Sequence, residues 1–125
     1  MDKLEYIPGD LVIYASLIKE PIAEICEVHE ASYTVKFMHG NFAATSKEIK
    51  PITLTPEILE KNGWKLSHGF YWSSNEEGAG VGLKSQTGYV WEAYIGRRLL
   101  RSNINNVSDL QHLLFGLGLN SEMEV

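Results

Sequence analysis

Apolar and polar residues alternate most clearly over "SYTVKFM" (32–38), where Tyr33, Val35 and Phe37 fall on one side and Thr34 and Lys36 on the other. That period of two predicts a half-buried strand. "PGDLVIYAS" (8–16) reads as a turn set by Pro8 and Gly9 followed by a strand, and "IAEICEVH" (22–29) as a second strand. His39-Gly40-Asn41 marks a tight turn into "FAATS" (42–46), and "SKEIKPI" (46–52) reads as one helical turn and a last short strand. The pattern then changes. In "LTPEILEKNGW" (54–64) Thr55 is a good N-cap, Pro56 suits the first helical position, and Glu57 meets the positive end of the helix. Leu54 and Leu59 have the spacing of a hydrophobic staple, and Asn62-Gly63 supplies the stop. A helix this short must pack to persist, through Ile58 and Leu59. No Gly/Ser-rich linker precedes it, so it reads as a fixed joint and not a tether.

Beyond the helix, "GFYWS" (69–73), "VGLKS" (81–85) and "GYVWEAYI" (88–95) are strand-like. Gly96-Arg97 fits a two-residue hairpin turn with Gly first, and "RLLRSNI" (98–104) is the returning strand. Asn106 caps a final helix at about 107–117, with Val107, Leu110, Leu113, Leu114 and Leu117 as its apolar stripe. The closing "NSEMEV" reads as a frayed tail. The expected fold class is α+β: a small β-barrel subdomain at 1–53, packed on an α+β subdomain at 54–125 with an antiparallel sheet and two short helices. Short strands in such number close their own edges most simply as a barrel. The "GDLV" opening, the longer loop at 15–21, the two hairpin strands and the "KEIKPI" turn resemble an SH3-like or Tudor-like barrel, which implies a fold and no ligand.

The same central helix carries a second resemblance. Leu54, Thr55, Glu57, Leu59, Lys61, Asn62, Gly63 and Trp64, followed by Val107, Leu110, Gln111 and Leu113, make up an L-T-x-E-x-L-x-K-N-G-aromatic segment and a V-x-x-L-Q-x-L helix. This pattern resembles a group of small uncharacterised proteins of bacterial phages and mobile elements. It covers most of 51–118 and implies a context without catalytic residues.

Charge narrows the partners. The formal net charge is −5 and the pI near 5.3, which disfavours a nucleic-acid coat. The halves do not differ much: up to Thr53 there are 5 Lys against 8 acids (−3), and from Leu54 onward 6 basic against 8 acidic residues (−2). No apolar run has the length of a membrane span and the first residues lack the core of a signal peptide, so a cytoplasmic protein without a membrane partner is expected. The single Cys26 agrees.

Candidate chemistry is sparse. "GAGVG" (78–82) lacks the following helix of a phosphate loop and is preceded by Glu76-Glu77. His29, His39, His68 and His112 form no ligand pair, and Cys26 and His29, three apart in one strand, point to opposite faces. Glu57 and Glu60 read as solvated helix charges. No catalytic set, cofactor or metal is therefore expected. "GRRLLR" (96–101) is the one basic cluster, beside Tyr89, Trp91 and Tyr94. Arg97, Arg98, Arg101 and Tyr94 are the candidate partner-binding residues. On a regular strand Arg98 and Arg101 have opposite parity, so at most one would share Arg97's direction. The expected function is a small interaction or accessory protein of phage or mobile-element type with a protein partner. The alternative is a nucleic-acid-associated accessory protein using the same hairpin.

Overall fold

The computed structural model describes residues 6–14, 22–30, 32–37, 40–45, 47–73 and 80–125. The sequence features at 15–21, His39, Glu76-Glu77 and the start of "GAGVG" lie outside them. The fold is α+β, with two antiparallel five-stranded sheets and two helices. The first sheet comprises β1 (Leu11–Tyr14), β2 (Ile22–Val28), β3 (Tyr33–Phe37), β4 (Gly40–Ala44) and β5 (Ile49–Pro51), in the order β4-β3-β2-β1-β5. The chain then passes through α1 (Pro56–Lys61) into β6 (Lys65–Ser67), β7 (Phe70–Trp72), β8 (Val81–Lys84), β9 (Trp91–Ile95) and β10 (Arg98–Ile104). These strands form a meander, ordered β10-β9-β8-β7-β6, and α2 (Val107–Gly116) follows.

The barrel expected at 1–53 is not closed. β4 and β5 are the two edges, and neither sheet closes on itself among the described residues. β5 has three residues, all paired with β1, and Pro51 has no N–H to offer a further strand. On β4, Asn41, Phe42 and Ala43 are exposed.

The helices start where the side chains dictate. The Thr55 hydroxyl accepts from Ile58 N, and the Asn106 side chain accepts from Asp109 N. Leu54 and Leu59, the two halves of the staple, are both fully buried. The larger core lies between the helices and one face of the second sheet, where Tyr71, Leu83, Trp91, Ala93 and Ile104 meet Leu59, Leu110 and Leu114. A smaller core gathers Val12, Tyr14, Ile25, Val35 and Ile49 on the first sheet. β1 serves both. Val12 and Tyr14 point into the smaller core, while Leu11 and Ile13 pack against the larger one. Its unbroken apolar run "LVIY" is what a strand covered on both faces requires.

The segment entering α1 is stitched to the segment entering α2. Val107 N donates to Ile52 O (2.8 Å), Leu54 N to Asn105 O (3.3 Å), and the buried Trp91 indole to Leu54 O (2.9 Å). α2 then reaches the first sheet through polar groups. Gln111, 4% exposed, accepts from Leu11 N (2.9 Å) and donates to Gly9 O (3.0 Å) and Ser121 O (3.1 Å). Its neighbour His112 makes a 2.6 Å hydrogen bond through Nε2 to Asp10 Oδ2, and Asp10 also accepts from Ile7 N. Burial raises the Asp10 pKa above its ordinary value, against the opposing effect of those hydrogen bonds. Nearby, Tyr6 is pushed up to about 12, chiefly by burial.

The closing segment, expected as a frayed tail, is docked on the body of the protein. The Asn62 amide donates to Glu124 O (2.7 Å) and accepts from Glu124 N (2.7 Å), and Lys61 Nζ reaches Val125 O (2.9 Å). Met123 and Val125 pack against the larger core. Main-chain groups that a sequence pattern does not encode hold the segment down.

Leu59→Ala and Leu110→Ala should each cost roughly 2–5 kcal/mol in urea unfolding, as large-to-small core changes do. A loss at the level of a surface substitution, under about 0.5 kcal/mol, would mean that these side chains do not dock the helices. Asp10 sets a pH dependence. Because its pKa is raised in the folded state, its contribution is most favourable below 3.8, the ordinary value, and declines as pH rises through the folded-state value. The stability of the wild type relative to Asp10→Asn should therefore fall as pH is raised from 3.8. A flat difference would count against this assignment.

Candidate binding surface

The tip of the β9–β10 hairpin is built as its sequence requires. Ile95 pairs with Arg98, leaving Gly96 and Arg97 as the turn. Gly96 has φ 59° and Arg97 does not share a positive φ, the pattern of a type II′ turn with Gly first. Arg97 and Arg98 are exposed and make no ion pair among the described residues.

β10 is not a regular strand. Leu99 pairs with Tyr94 and Arg101 with Ala93, so one extra residue is inserted between them. A second irregularity precedes Ile104, where Asn103 has φ 58°. The first bulge cancels the parity difference. Arg98, Arg101 and Ile104 pair with Ile95, Ala93 and Trp91, which alternate on one side of β9, and that side faces the larger core. Arg101 is consequently turned toward α2, where its guanidinium lies 3.4 Å from Asp109 Oδ1. Asp109 Oδ2 also accepts from Asn105 N. Arg101 thus fastens the strand to the first turn of α2, while Arg97 and Arg98 remain at the tip.

Tyr94 lies on the opposite, outer face with Phe70 and Trp72. The Phe70 ring is 5.5 Å from Tyr94, edge to face, and 5.4 Å from Trp72. Gly82 lies beneath Trp72: a Cβ there would stand 2.7 Å from the indole ring. Lys84 Nζ is 5.8 Å from the Phe70 ring centre, within cation–π range. Leu99, opposite Tyr94, is half exposed. The face therefore presents two partly exposed aromatics, Phe70 and Tyr94, packed beside the buried Trp72, with a lysine and an apolar edge, and the hairpin ends at Arg97. The parity of Phe70, Trp72 and Tyr94 on their strands could have signalled it. The pairing of separate strands could not be read from that parity.

The other candidates are engaged elsewhere. His29 Nε2 bonds Thr34 Oγ1 (2.9 Å), and Cys26 Sγ approaches Glu24 O (3.8 Å) at a bulge in β2. Glu60 accepts from the Tyr71 hydroxyl (2.8 Å), which raises the Tyr71 pKa, with burial adding to the effect. Val81–Lys84 is a strand, so the helix that a phosphate loop needs after "GAGVG" is not there. An open depression of about 290 Å³ lies beside the β8–β9 turn. Two of its hydroxyls serve the turn itself: Ser85 Oγ donates to Val90 O and accepts from Gly88 N, and Thr87 Oγ1 accepts from Tyr89 N and Val90 N. No group of three or more metal-ligating side chains is assembled among the described residues. No described helix is long and apolar enough to cross a membrane. The chain matches no known family, no curated protein and no solved structure.

Gly82→Ala should displace the Trp72 ring and cost about 1–3 kcal/mol, as overpacking does. Near-ultraviolet circular dichroism and urea unfolding would report it. An unchanged aromatic signal would show that the ring does not rest on this glycine.

Proposed function

We propose that this protein is a non-enzymatic interaction module whose working surface is the outer face of the second sheet together with the hairpin tip. Its partner is an acidic surface of another protein. The observation that carries this reading is the placement of Arg97 and Arg98, exposed and without ion pairs among the described residues, at the tip of a hairpin whose outer face carries Tyr94, on a chain of net charge −5. Guanidinium groups hold carboxylates in two-point geometry, and aromatics add area at small entropic cost. The resemblance of 51–118 to phage and mobile-element proteins supports an accessory role in that setting. The return of β5 to β1 supports an SH3-like reading of the first sheet. A second reading, a single-stranded nucleic acid, is favoured by the Phe70–Tyr94 aromatic face flanked by Lys84.

A fluorescent Glu-rich peptide and a short oligothymidine, titrated at several salt concentrations, separate the two. Arg97→Ala/Arg98→Ala should keep the thermal stability and weaken the peptide by about tenfold or more, the equivalent of about 1.4 kcal/mol. Saturable binding of the oligonucleotide alone, with a steep salt slope, would transfer the surface to nucleic acid. Binding of neither probe would remove this hairpin from consideration. Arg101→Ala should act differently, losing up to about 1 kcal/mol of stability with the half-exposed pair to Asp109.

A further inference from the structure

Residues 121–125 are held as a ligand is held. Among the described residues, every polar contact between this segment and the body of the protein is made through its main chain: Gln111 Nε2 to Ser121 O, both atoms of the Asn62 amide to Glu124 N and O, and Lys61 Nζ to Val125 O. The Asn62 amide supplies one donor and one acceptor, as a neighbouring strand would. Side chains enter at alternate positions only, Met123 and Val125, and both stay partly exposed. Glu122 and Glu124 point to solvent. Such a seat reads an extended backbone with two apolar residues spaced two apart. It does not require that the backbone belong to the same chain.

The segment is also weakly tied. It has no regular secondary structure and no fully buried residue, and it follows Gly118 in the left-handed conformation (φ 73°) that ends α2. A segment with so few buried contacts opens at low free energy, without unfolding the rest. We infer that the seam between the end of α1 and α2 is a peptide-binding site, closed in cis by residues 121–125. It takes in trans an extended segment of another protein with an apolar-acidic-apolar sequence. Lys61, at the edge of the seam, complements the acidic position by charge. A short tether gives an effective concentration of about millimolar. A segment docked about nine-tenths of the time at that concentration has an intrinsic dissociation constant of about a tenth of a millimolar or less.

The test is a titration of the full chain, followed by NMR, with the peptide NSEMEV. Met123→Ser/Val125→Ser, which weakens the cis segment, should bind the peptide at least about tenfold more tightly than the wild type. Shifts should concentrate on the side-chain amides of Asn62 and Gln111. A peptide with serine in place of methionine and valine should not bind. Equal binding of the serine peptide, or no saturable binding to the double variant, overturns the proposal. A wild-type dimer that the peptide dissolves would assign the seam to a second copy and overturn the heterologous partner. If the double variant does not fold, hydrogen exchange on the wild type decides. The Glu124 amide should exchange far faster than the α2 amides, and exchange only at the rate of global unfolding would overturn the inference.

Discussion

A buried carboxamide holds the two sheets together. Gln111 leaves no freedom in how α2 meets β1, because its oxygen and nitrogen must satisfy Leu11 N and Gly9 O at once. Both hydrogen bonds are part-buried, and each contributes about 0.5–1.5 kcal/mol. The register of α2 against β1 therefore follows from hydrogen-bond accounting as much as from apolar packing. Once α2 is placed, the neighbouring His112 meets Asp10, Leu110 and Leu114 enter the larger core, and the chain at 105–107 lies against 52–54.

The local elements were legible because each has a local cause. The caps at Thr55 and Asn106, the Gly96-Arg97 turn and the alternation in β3 and β9 are set by neighbours in sequence. What the pattern left out depends on distant groups. Gln111 and His112 sit on the polar flank of an amphipathic stripe, where solvent is the ordinary expectation. The burial of Gln111 and the pairing of His112 follow only from the approach of residues more than ninety positions away. The docking of Glu124 on Asn62 is of the same kind, since an amide reading a backbone leaves no trace in side-chain periodicity. The barrel expectation rested on strand count, and strand count carries no information on whether the outer two strands meet.

The candidate surface shows the same division. That Arg97 sits at a solvent-facing turn follows from Gly96 alone. That Arg98 and Arg101 share a side of β10 does not, because it depends on an inserted residue in the ladder. The bulge separates two roles within one basic cluster. Arg101 is committed to Asp109 and thereby to the fold, and Arg97 and Arg98 are left exposed at the tip.

The double duty of β1 has a consequence for the order of assembly. Its inner neighbours within the first sheet are synthesised soon after it, but the group that satisfies Leu11 N lies 100 residues further along. During translation β1 can find β2 and β5 while one of its faces still lacks its cover. Leu11 and Ile13 then wait as an open apolar edge until α2 leaves the ribosome. Closure over so long a stretch is entropically slow. The final packing of this strand therefore waits for α2 and is not set by the strand's own early neighbours.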